Sequence, residues 1–266
     1  MAKIAVVIPS RLQFNPASPV GRLYLHRAVA SVIRQTVAKD HEIKIVVGVD
    51  DDGRDLKADL PTGIDIAVGG HSQAAAVNAA AQMALGWSPE LLAFLEDDDT
   101  WHHSKLEYQL AALADGYDFV SASAREIKED GDYVRINDWA GPSGWLMPTQ
   151  TWLDVGPFDE TFKWHVDTQW IGMLNATGKR RLHFAEAGAD IAHVDENGKR
   201  GPRPWLNNVG QFSKVAMTDG LGEPLVNRTI NERGGMWKIA HDPTAAAESH
   251  NEHQRMWQTL GARLPW

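Results

Sequence analysis

The chain has 266 residues, a formal net charge of −9 and no cysteine. The negative charge argues against a broad polyanion-binding surface, because nonspecific affinity for nucleic acid comes mainly from lysine and arginine side chains. The lack of cysteine excludes disulfides, thiolate metal sites and cysteine nucleophiles, and it suits a reducing compartment.

The first predicted element is a short strand from Ile4 to Ile8, which ends at Pro9-Ser10. The run is too short to cross a membrane and has neither the charge order nor the cleavage site of a signal peptide, so we expect a cytoplasmic protein. Apolar residues at helical spacing follow from Leu23 to Thr36. Strand, loop and helix in this order predict the beginning of a βαβ unit.

The alternation of strands and helices continues along the chain. Ile43 to Val49 predicts a second strand, Ile64 to Val68 a third, and Ser72 to Leu85 an alanine-rich helix. Alternating strands and helices indicate an α/β fold with a mostly parallel sheet. Such sheets bind ligands beyond the carboxyl ends of their strands.

The most informative stretch is the buried strand predicted for Leu91 to Leu95, which stops at four consecutive acids, Glu96 to Asp99. Four carboxylates repel one another unless a cation lies among them. Hard divalent ions such as Mg²⁺ and Mn²⁺ take oxygen ligands and often join carboxylates to nucleotide phosphates. We therefore expect a metal site here. The alternative is a solvated acidic turn that caps a helix beginning near Trp101.

Further along, Ser104 to Leu113 predicts a helix, Phe119 to Ala122 a strand, and Glu129 to Asp132 a polar hairpin-like turn. From Trp139 onward the composition shifts toward Trp, Gly and Pro. The 11 tryptophans indicate either core packing or a platform on which a sugar stacks.

Two later segments complete the pattern. Asn197 to Trp205 is rich in Gly, Pro and basic residues and predicts a loop that can move. The tail from Asp242 predicts a solvated terminal helix.

This ordered series resembles the GT-A fold glycosyltransferases, most closely glycosyltransferase family 2. The matching pieces are Ala5 to Ser10, Ala28 to Thr36, Ile45 to Gly53, Phe94 to Trp101 with Lys105 to Glu107, Gly144 to Met147, Val155 to Glu160, and Val166-Asp167. The resemblance implies a GT-A α/β fold, with a mixed, mostly parallel sheet flanked by helices. It also implies a nucleotide-sugar-binding half, 1–125, followed in the same domain by a Trp-rich acceptor-binding half with a C-terminal extension, 126–266.

The activity that the resemblance implies is transfer of a sugar from a nucleotide-diphosphate donor, UDP-linked, to an acceptor hydroxyl. Pro9 and Ser10 fall where the family binds base and ribose, and either Asp50 or Asp52 falls where an acid accepts a hydrogen bond from the base. The nucleotide-binding candidates are Pro9, Ser10, Arg11, Asp50, Asp52, Ser72, Gln73, Glu96 and Asp97.

The resemblance also implies a divalent cation, Mn²⁺ or Mg²⁺. The family's Asp-x-Asp motif falls on Glu96-Asp97-Asp98, and a late histidine that completes the metal shell falls on His193. The predicted ligands are therefore Glu96, Asp98 and His193. Glu96 has one methylene more than the usual Asp, which leaves open whether it binds the ion directly. For His193 the alternative is a buried histidine that is hydrogen-bonded at a strand end.

Asp167 matches the family's general base, although the acid that usually precedes it is Val166 here. A base on the acceptor hydroxyl is typically worth about 10²- to 10⁴-fold in rate. The alternative is a helix cap. Acceptor contacts are expected from Gly144, Trp145 and Trp164, and neutralisation of the leaving diphosphate from Lys199, Arg200 and Arg203, which could instead be solvated loop charges.

Several alternatives stay open at this point. Inversion is favoured, but the arrangement of His193 with Pro204-Trp205 also occurs in retaining enzymes. A nucleotidyltransferase would carry a Gly-rich loop where this chain has Pro9 to Leu12. A non-catalytic GT-A-like module that binds carbohydrate or nucleotide is the third possibility. The acceptor could be a small molecule, a glycan or a modified nucleic-acid base, and the sequence does not indicate an oligomeric state.

Overall fold

The computed structural model describes residues 1–20, 22–50, 60–137, 139–185, 192–194, 200–202, 214–217, 225–232 and 234–261. The strands in these ranges are β1 Lys3–Ser10, β2 Glu42–Asp50, β3 Ile64–Gly69, β4 Leu91–Phe94, β5 Thr100–Trp101, β6 Phe119–Ala122, β7 Ala124–Lys128, β8 Tyr133–Asn137, β9 Leu146–Pro148, β10 Arg181–Ala185, β11 Ala192–Val194, β12 Arg200–Pro202, β13 Lys214–Met217 and β14 Val226–Ile230. The helices are α1 Tyr24–Ile33, α2 Gln73–Leu85, α3 Lys105–Ala114, α4 Thr149–Val155, α5 Val166–Asn175, α6 Gly235–His241 and α7 Pro243–Leu260.

The main sheet has eight strands in the order β13-β10-β6-β9-β4-β1-β2-β3. Neighbouring strands are parallel except at β9, which runs antiparallel to both β4 and β6. The predicted α/β fold with a mixed, mostly parallel sheet is therefore confirmed. Strands from the second half of the chain, β9, β10 and β13, belong to the same sheet as β1 to β4.

Both faces of this sheet are covered, which explains the unbroken apolar runs of its central strands. In β1, Ile4, Val6 and Ile8 enter one core cluster, while Ala5 and Val7 enter the cluster on the other face. Successive side chains of a strand point to opposite faces, so a strand buried on both sides must be apolar at every position.

The second core cluster accounts for much of the tryptophan. Trp145 and Trp170 stack with ring centroids 4.9 Å apart, and Trp152 stacks on Trp170 at 5.6 Å. Phe94 of β4 and Phe119 of β6 meet Trp145 edge-on at 5.8 and 5.5 Å. For these tryptophans core packing is the correct explanation, because aromatic rings in such arrangements contribute large buried areas and favourable ring contacts.

A smaller sheet of four strands, in the order β5-β14-β7-β8, lies next to the acidic stretch. β5 follows the four acids directly and pairs antiparallel with the start of β14. β14 is parallel to β7, and β7 and β8 form the hairpin that the polar turn at 129–132 predicts. This sheet therefore brings residues 226–231 to the acids at 96–99.

One alternative and two expectations require correction. The alternative of a helix that begins near Trp101 is wrong, because Trp101 lies in β5, whereas the helix predicted for Ser104 to Leu113 is α3, which starts at Lys105. The predicted loop at 197–205 contains β12, which pairs antiparallel with β11, and its remaining residues lie outside the described ranges. The terminal helix α7 is not simply solvated, since Met256 and Leu260 are buried in the second core cluster.

None of the helices in the described part of the chain combines the length and apolar character needed to cross a bilayer.

His183 of β10 is fully buried in the main sheet. Ser121 Oγ lies 2.8 Å from its Nδ1, and Ser123 Oγ lies 3.0 Å from its Nε2. Burial lowers the pKa of His183 from 6.5 to about 3, so the ring is neutral in the folded protein at pH 7. Unfolding returns the ring to water and to its ordinary pKa.

Between pH 6.5 and 3 the unfolded chain therefore binds more protons at His183 than the folded chain, and stability falls as the pH falls through this window. We predict that His183→Gln reduces the loss in free energy of unfolding between pH 7 and pH 5 by about 2 kcal/mol. Urea unfolding at both pH values measures this difference. His71→Gln, at an exposed position, is the matched control. Parallel pH dependences of wild type and His183→Gln would contradict the prediction.

Candidate active site

The four acids lie between the carboxyl end of β4 and β5. Ligand oxygens of Glu96, Asp98 and Asp99 all lie within 4.8 Å of one another. Asp97 has a different partner, because Ser10 Oγ donates a hydrogen bond to its Oδ2 at 2.5 Å. Ser10 ends β1, which pairs in parallel with β4. Two neighbouring strand ends therefore place these predicted residues together, as expected for a parallel sheet.

Short polar contacts orient the carboxylates of Glu96 and Asp99. Ser143 Oγ donates to Asp99 Oδ2 at 2.6 Å and accepts a hydrogen bond from Glu96 N at 3.0 Å. Gln73 Nε2, at the start of α2, donates to Glu96 Oε1 at 2.8 Å. Gln73 thus lies at the acid cluster, next to Ser72, whose hydroxyl accepts from Ala75 N and caps the helix.

Asp98 is held from two other directions. Asn231, which follows β14, donates from Nδ2 to Asp98 Oδ2 at 2.8 Å. Arg27 of α1 donates from Nη2 to the backbone oxygen of Asp98 and to Thr229 Oγ1. Thr229 N in turn donates to Asp99 Oδ1 at 2.9 Å. Residues far apart in the sequence therefore fix the turn that carries the acids.

The electrostatics of the cluster favour a cation. Burial raises the pKa of all four acids, and repulsion from neighbouring acids raises the pKa of Glu96, Asp97 and Asp99 further. The pKa of Asp97 rises to about 7. Arg228 opposes the rise for Glu96, Asp98 and Asp99. Glu96, Asp98 and Asp99 offer the hard oxygen ligands that Mg²⁺ and Mn²⁺ prefer, so the donor set fits such an ion.

A small cleft with a cavity volume of about 50 Å³ lies beside the cluster. Its lining includes Glu96, Asp99 and Arg228 together with Trp139 and Asp167. Asp167 belongs to the first turn of α5, and it is not the N-cap residue, which is His165. Its Oδ2 accepts a hydrogen bond from Trp139 Nε1 at 3.0 Å, and its Oδ1 accepts from Thr168 N at 2.7 Å. One cleft therefore joins the acid cluster and the predicted base.

Of the predicted acceptor contacts, only Gly144 lines this cleft. Its Cα packs so closely that a Cβ there would lie 2.6 Å from the backbone oxygen of Ala122, which requires glycine. The prediction for Trp145 is wrong, because its side chain is 0% exposed and its Nε1 donates to Ala140 O at 2.6 Å. Trp164 does not line the cleft and lies against α7, with its Nε1 3.2 Å from Glu248 Oε2.

Several predicted residues fall wholly or partly outside the described part of the structure. The backbones of His193 and Arg200 lie in β11 and β12, but their side chains are not described. Asp50 ends β2 beside Gly69, again without a described side chain. Asp52, Lys199 and Arg203 lie outside the described ranges. Pro9 and Arg11 flank Ser10 at the end of β1, and the charge of Arg11 lowers the pKa of Asp97 against the effect of burial.

Sequence reasoning missed several residues of this site. Ser143, Thr229, Asn231, Arg27 and Arg228 have no characteristic spacing relative to the acids, and Arg228 is 132 positions away from Glu96 in the sequence. Trp139 was visible only as the start of the Trp-rich composition. No local pattern could have assigned these residues, because contacts between segments far apart in the sequence bring them to the acids.

The comparisons with known proteins agree with this geometry. The chain matches the model of "Glycosyl transferase family 2" over residues 21–169, which is more than half of its length. The comparison with curated proteins found no match. The structure is similar to S. aureus TarS 1-349 in complex with UDP, with a TM-score of 0.52 and 13% identity over 92% of this chain and 68% of that chain.

A second TarS structure, the complex with UDP-GlcNAc, is similar with a TM-score of 0.51 and 14% identity over 86% of this chain and 59% of that one. A longer S. aureus TarS chain is similar with a TM-score of 0.50 and 12% identity, over 92% of this chain. The present chain spans only 41% of that longer chain. At these identities the similarity shows a shared fold.

The contacts of Ser143 generate a stability prediction. Ser143→Ala removes the acceptor of the Glu96 backbone N–H and a donor to Asp99, so we expect the free energy of unfolding to fall by about 1–3 kcal/mol. Urea unfolding at pH 7 with a chelator present measures this value. Ser104→Ala is the control, because the Ser104 side chain makes no capping hydrogen bond. Equal stabilities for the two variants would contradict the role given to Ser143.

Proposed function

The chain belongs to glycosyltransferase family 2 and is a glycosyltransferase with the GT-A fold, and we propose that it moves a sugar from a UDP-linked donor to an acceptor hydroxyl with a bound divalent cation. The observation that carries the proposal is the cleft that joins the acid cluster to Asp167. A diphosphate leaving group needs cationic compensation, and an attacking hydroxyl needs a base. This cleft offers candidates for both.

The donor is proposed to bind across the ends of β1 and β2. TarS was crystallised with UDP and with UDP-GlcNAc, which supports a uridine donor for a protein of the same fold. We assign base and ribose to the surface around Pro9, Ser10 and Arg11, with Asp50 or Asp52 as the acceptor for the base. The hydrogen bond between Ser10 and Asp97 makes this surface continuous with the acid cluster. Gln73 then adds a neutral contact beside the diphosphate, next to the N-terminus of α2.

Mn²⁺ or Mg²⁺ is proposed to be held by Glu96 and Asp98. These two acids are partly exposed, whereas Asp99 is 1% exposed and its two oxygens already accept from Ser143 and Thr229. We therefore assign Asp99 a structural role, in which its hydrogen bonds hold the turn that carries Glu96 and Asp98. When bound, the ion offsets negative charge on the diphosphate. His193 remains a proposed further ligand, and the basic residues Lys199, Arg200 and Arg203 remain proposed contacts of the diphosphate.

Asp167 is proposed as the general base. As the acceptor oxygen forms its bond to the anomeric carbon, the bond from that carbon to the diphosphate oxygen breaks, and the electron pair leaves with the diphosphate. Asp167 takes the proton of the acceptor hydroxyl. Direct attack of this kind inverts the configuration at the anomeric carbon. Hydrogen bonds from Trp139 and Thr168 fix the orientation of the carboxylate before the acceptor arrives.

We predict that Asp98→Ala removes the gain in UDP affinity that Mn²⁺ produces, because the ion loses a ligand at the point where it would meet the diphosphate. We expect the dissociation constant for UDP in saturating Mn²⁺ to rise by at least about tenfold, or about 1.4 kcal/mol. Titration calorimetry with and without Mn²⁺ measures this gain. Asp40→Ala, at an exposed position, should retain it. A full Mn²⁺-dependent gain in Asp98→Ala would refute the metal assignment.

We further predict that Asp167→Asn leaves donor binding intact while transfer falls by about 10²- to 10⁴-fold, because asparagine keeps the shape of the side chain but cannot accept the proton. Calorimetry gives the donor affinity, and a panel of sugar nucleotides and acceptors gives the transfer rate. Asp115→Asn, at an exposed position, is the control. Normal turnover in Asp167→Asn would remove Asp167 from the mechanism.

A further inference from the structure

Glu126 is an acid buried in the middle of the smaller sheet, with 1% of its surface exposed. In the strand register it lies opposite Arg228 of β14 on one side and Arg135 of β8 on the other. Its Oε1 lies 3.3 Å from Arg228 Nη1 and accepts from Asn137 Nδ2 at 2.7 Å, while its Oε2 accepts from Arg135 Nε at 2.5 Å. A buried carboxylate is stable only when it is paired and hydrogen-bonded, and Glu126 satisfies both conditions.

The side chains that donate hydrogen bonds to Glu126 differ in whether they face solvent or the cleft. Arg135 is mostly in solvent, with 65% of its side chain exposed. Asn137 and Arg228, in contrast, line the cleft. Glu126 itself does not line the cleft, so among the described residues these two neighbours connect it to the cleft.

One path from Glu126 leads to Asp167. The side-chain amide of Asn137 donates from Nδ2 to Glu126 Oε1. In this orientation the Oδ1 atom of Asn137 accepts a hydrogen bond from Trp139 N at 3.0 Å. Trp139 Nε1 then donates to Asp167 Oδ2 at 3.0 Å. The orientation of the proposed base therefore depends on a chain of hydrogen bonds that begins at Glu126.

The other path leads to the acid cluster. Although burial lowers the pKa of Arg228, the charges of Glu96, Asp99, Glu126 and Asp98 raise it, and the guanidinium stays charged. Arg228 therefore interacts with the acid cluster through its charge and with Glu126 Oε1 through its Nη1 at 3.3 Å. A change at Glu126 is expected to alter how strongly the arginine competes with a cation for those acids.

We infer that Glu126 is a positioning residue that holds two parts of the site at once: Arg228 beside the acid cluster and, through Asn137 and Trp139, the carboxylate of Asp167. The inference rests on the proposed function, because that function gives Asp167 and the acid cluster their roles. It adds that the smaller sheet sets the geometry between the leaving group and the base.

The test begins with Glu126→Gln, which keeps the size of the side chain, removes its charge and turns an N–H₂ group toward its donors. Because the hydrogen bond from Trp139 no longer orients Asp167, we expect kcat to fall about 10- to 100-fold, with the KM for the donor within about twofold at saturating Mn²⁺. Because Arg228 is released toward the acids, we also expect the Mn²⁺ concentration that half-saturates the metal-dependent UDP binding to rise at least about threefold.

Matched variants separate this role from a general loss of structure. Arg135→Ala removes only the solvent-facing donor and should leave kcat and Mn²⁺ affinity within about twofold of wild type. Asn137→Ala and Trp139→Phe interrupt only the path to Asp167, so kcat should fall while Mn²⁺ affinity is retained. A merely structural role for Glu126 would not separate the two quantities in this way.

The inference is overturned if Glu126→Gln leaves both kcat and Mn²⁺ affinity within twofold of wild type. If Glu126→Gln does not fold, Asn137→Ala and Trp139→Phe decide, and normal kcat in both would overturn it. If the wild-type protein shows neither Mn²⁺-dependent UDP binding nor transfer, the proposed function fails by itself. Crystal structures then test the positioning role alone: in Glu126→Gln or Asn137→Ala the hydrogen bond between Trp139 and Asp167 should be lost, and its retention would overturn the inference.

Discussion

Repulsion among four carboxylates at the end of β4 is the constraint on which this structure depends. Removing such groups from water costs several kcal/mol each unless hydrogen bonds and opposite charges compensate. The chain supplies these from distant segments, with Gln73 from α2, Arg27 from α1, Ser143 from the turn before β9, and Asn231 after β14. The compensation is incomplete, because the pKa of each acid remains raised. A site in this state is suited to a cation.

The surroundings of the site are built to keep these contacts in place. Two side chains fix the backbone of the turn that carries Ser143. Trp101 Nε1 donates to the Ser143 carbonyl at 2.7 Å, and Gln109 Nε2 donates to the Gly144 carbonyl at 2.6 Å. Trp145, the next residue, is buried in the aromatic cluster. Trp145, which the family resemblance assigns to the acceptor, thus has a structural role. Rigid support of this kind preorganises a site before the substrate binds.

Prediction from sequence succeeded where a local pattern carries the information. The unbroken apolar run in β1 and the alanine-rich helix α2 correspond closely to the predicted elements, and the strand predicted just before the four acids is β4. It failed where a pattern has two local explanations. The Gly-, Pro- and base-rich segment 197–205 predicts a loop, but Arg200–Pro202 pairs with β11 as a strand. Trp145 and Trp139 are equally aromatic, and only packing separates the buried ring from the one that lines the cleft.

The sequence by itself determined the α/β class, the strands β1 to β4 and the position of the acidic stretch at a strand end, because periodicity and strand-end polarity are local properties. The tertiary structure alone decided that Asp99 joins Glu96 and Asp98 and that Asp97 accepts a hydrogen bond from Ser10. It also decided that Arg228, which is paired with Glu126, acts on the acid cluster through its charge. These contacts depend on the pairing of β14 with β5 and β7, across more than a hundred residues of chain. Such pairings follow from the packing of the whole molecule and have no signature in any short window of sequence.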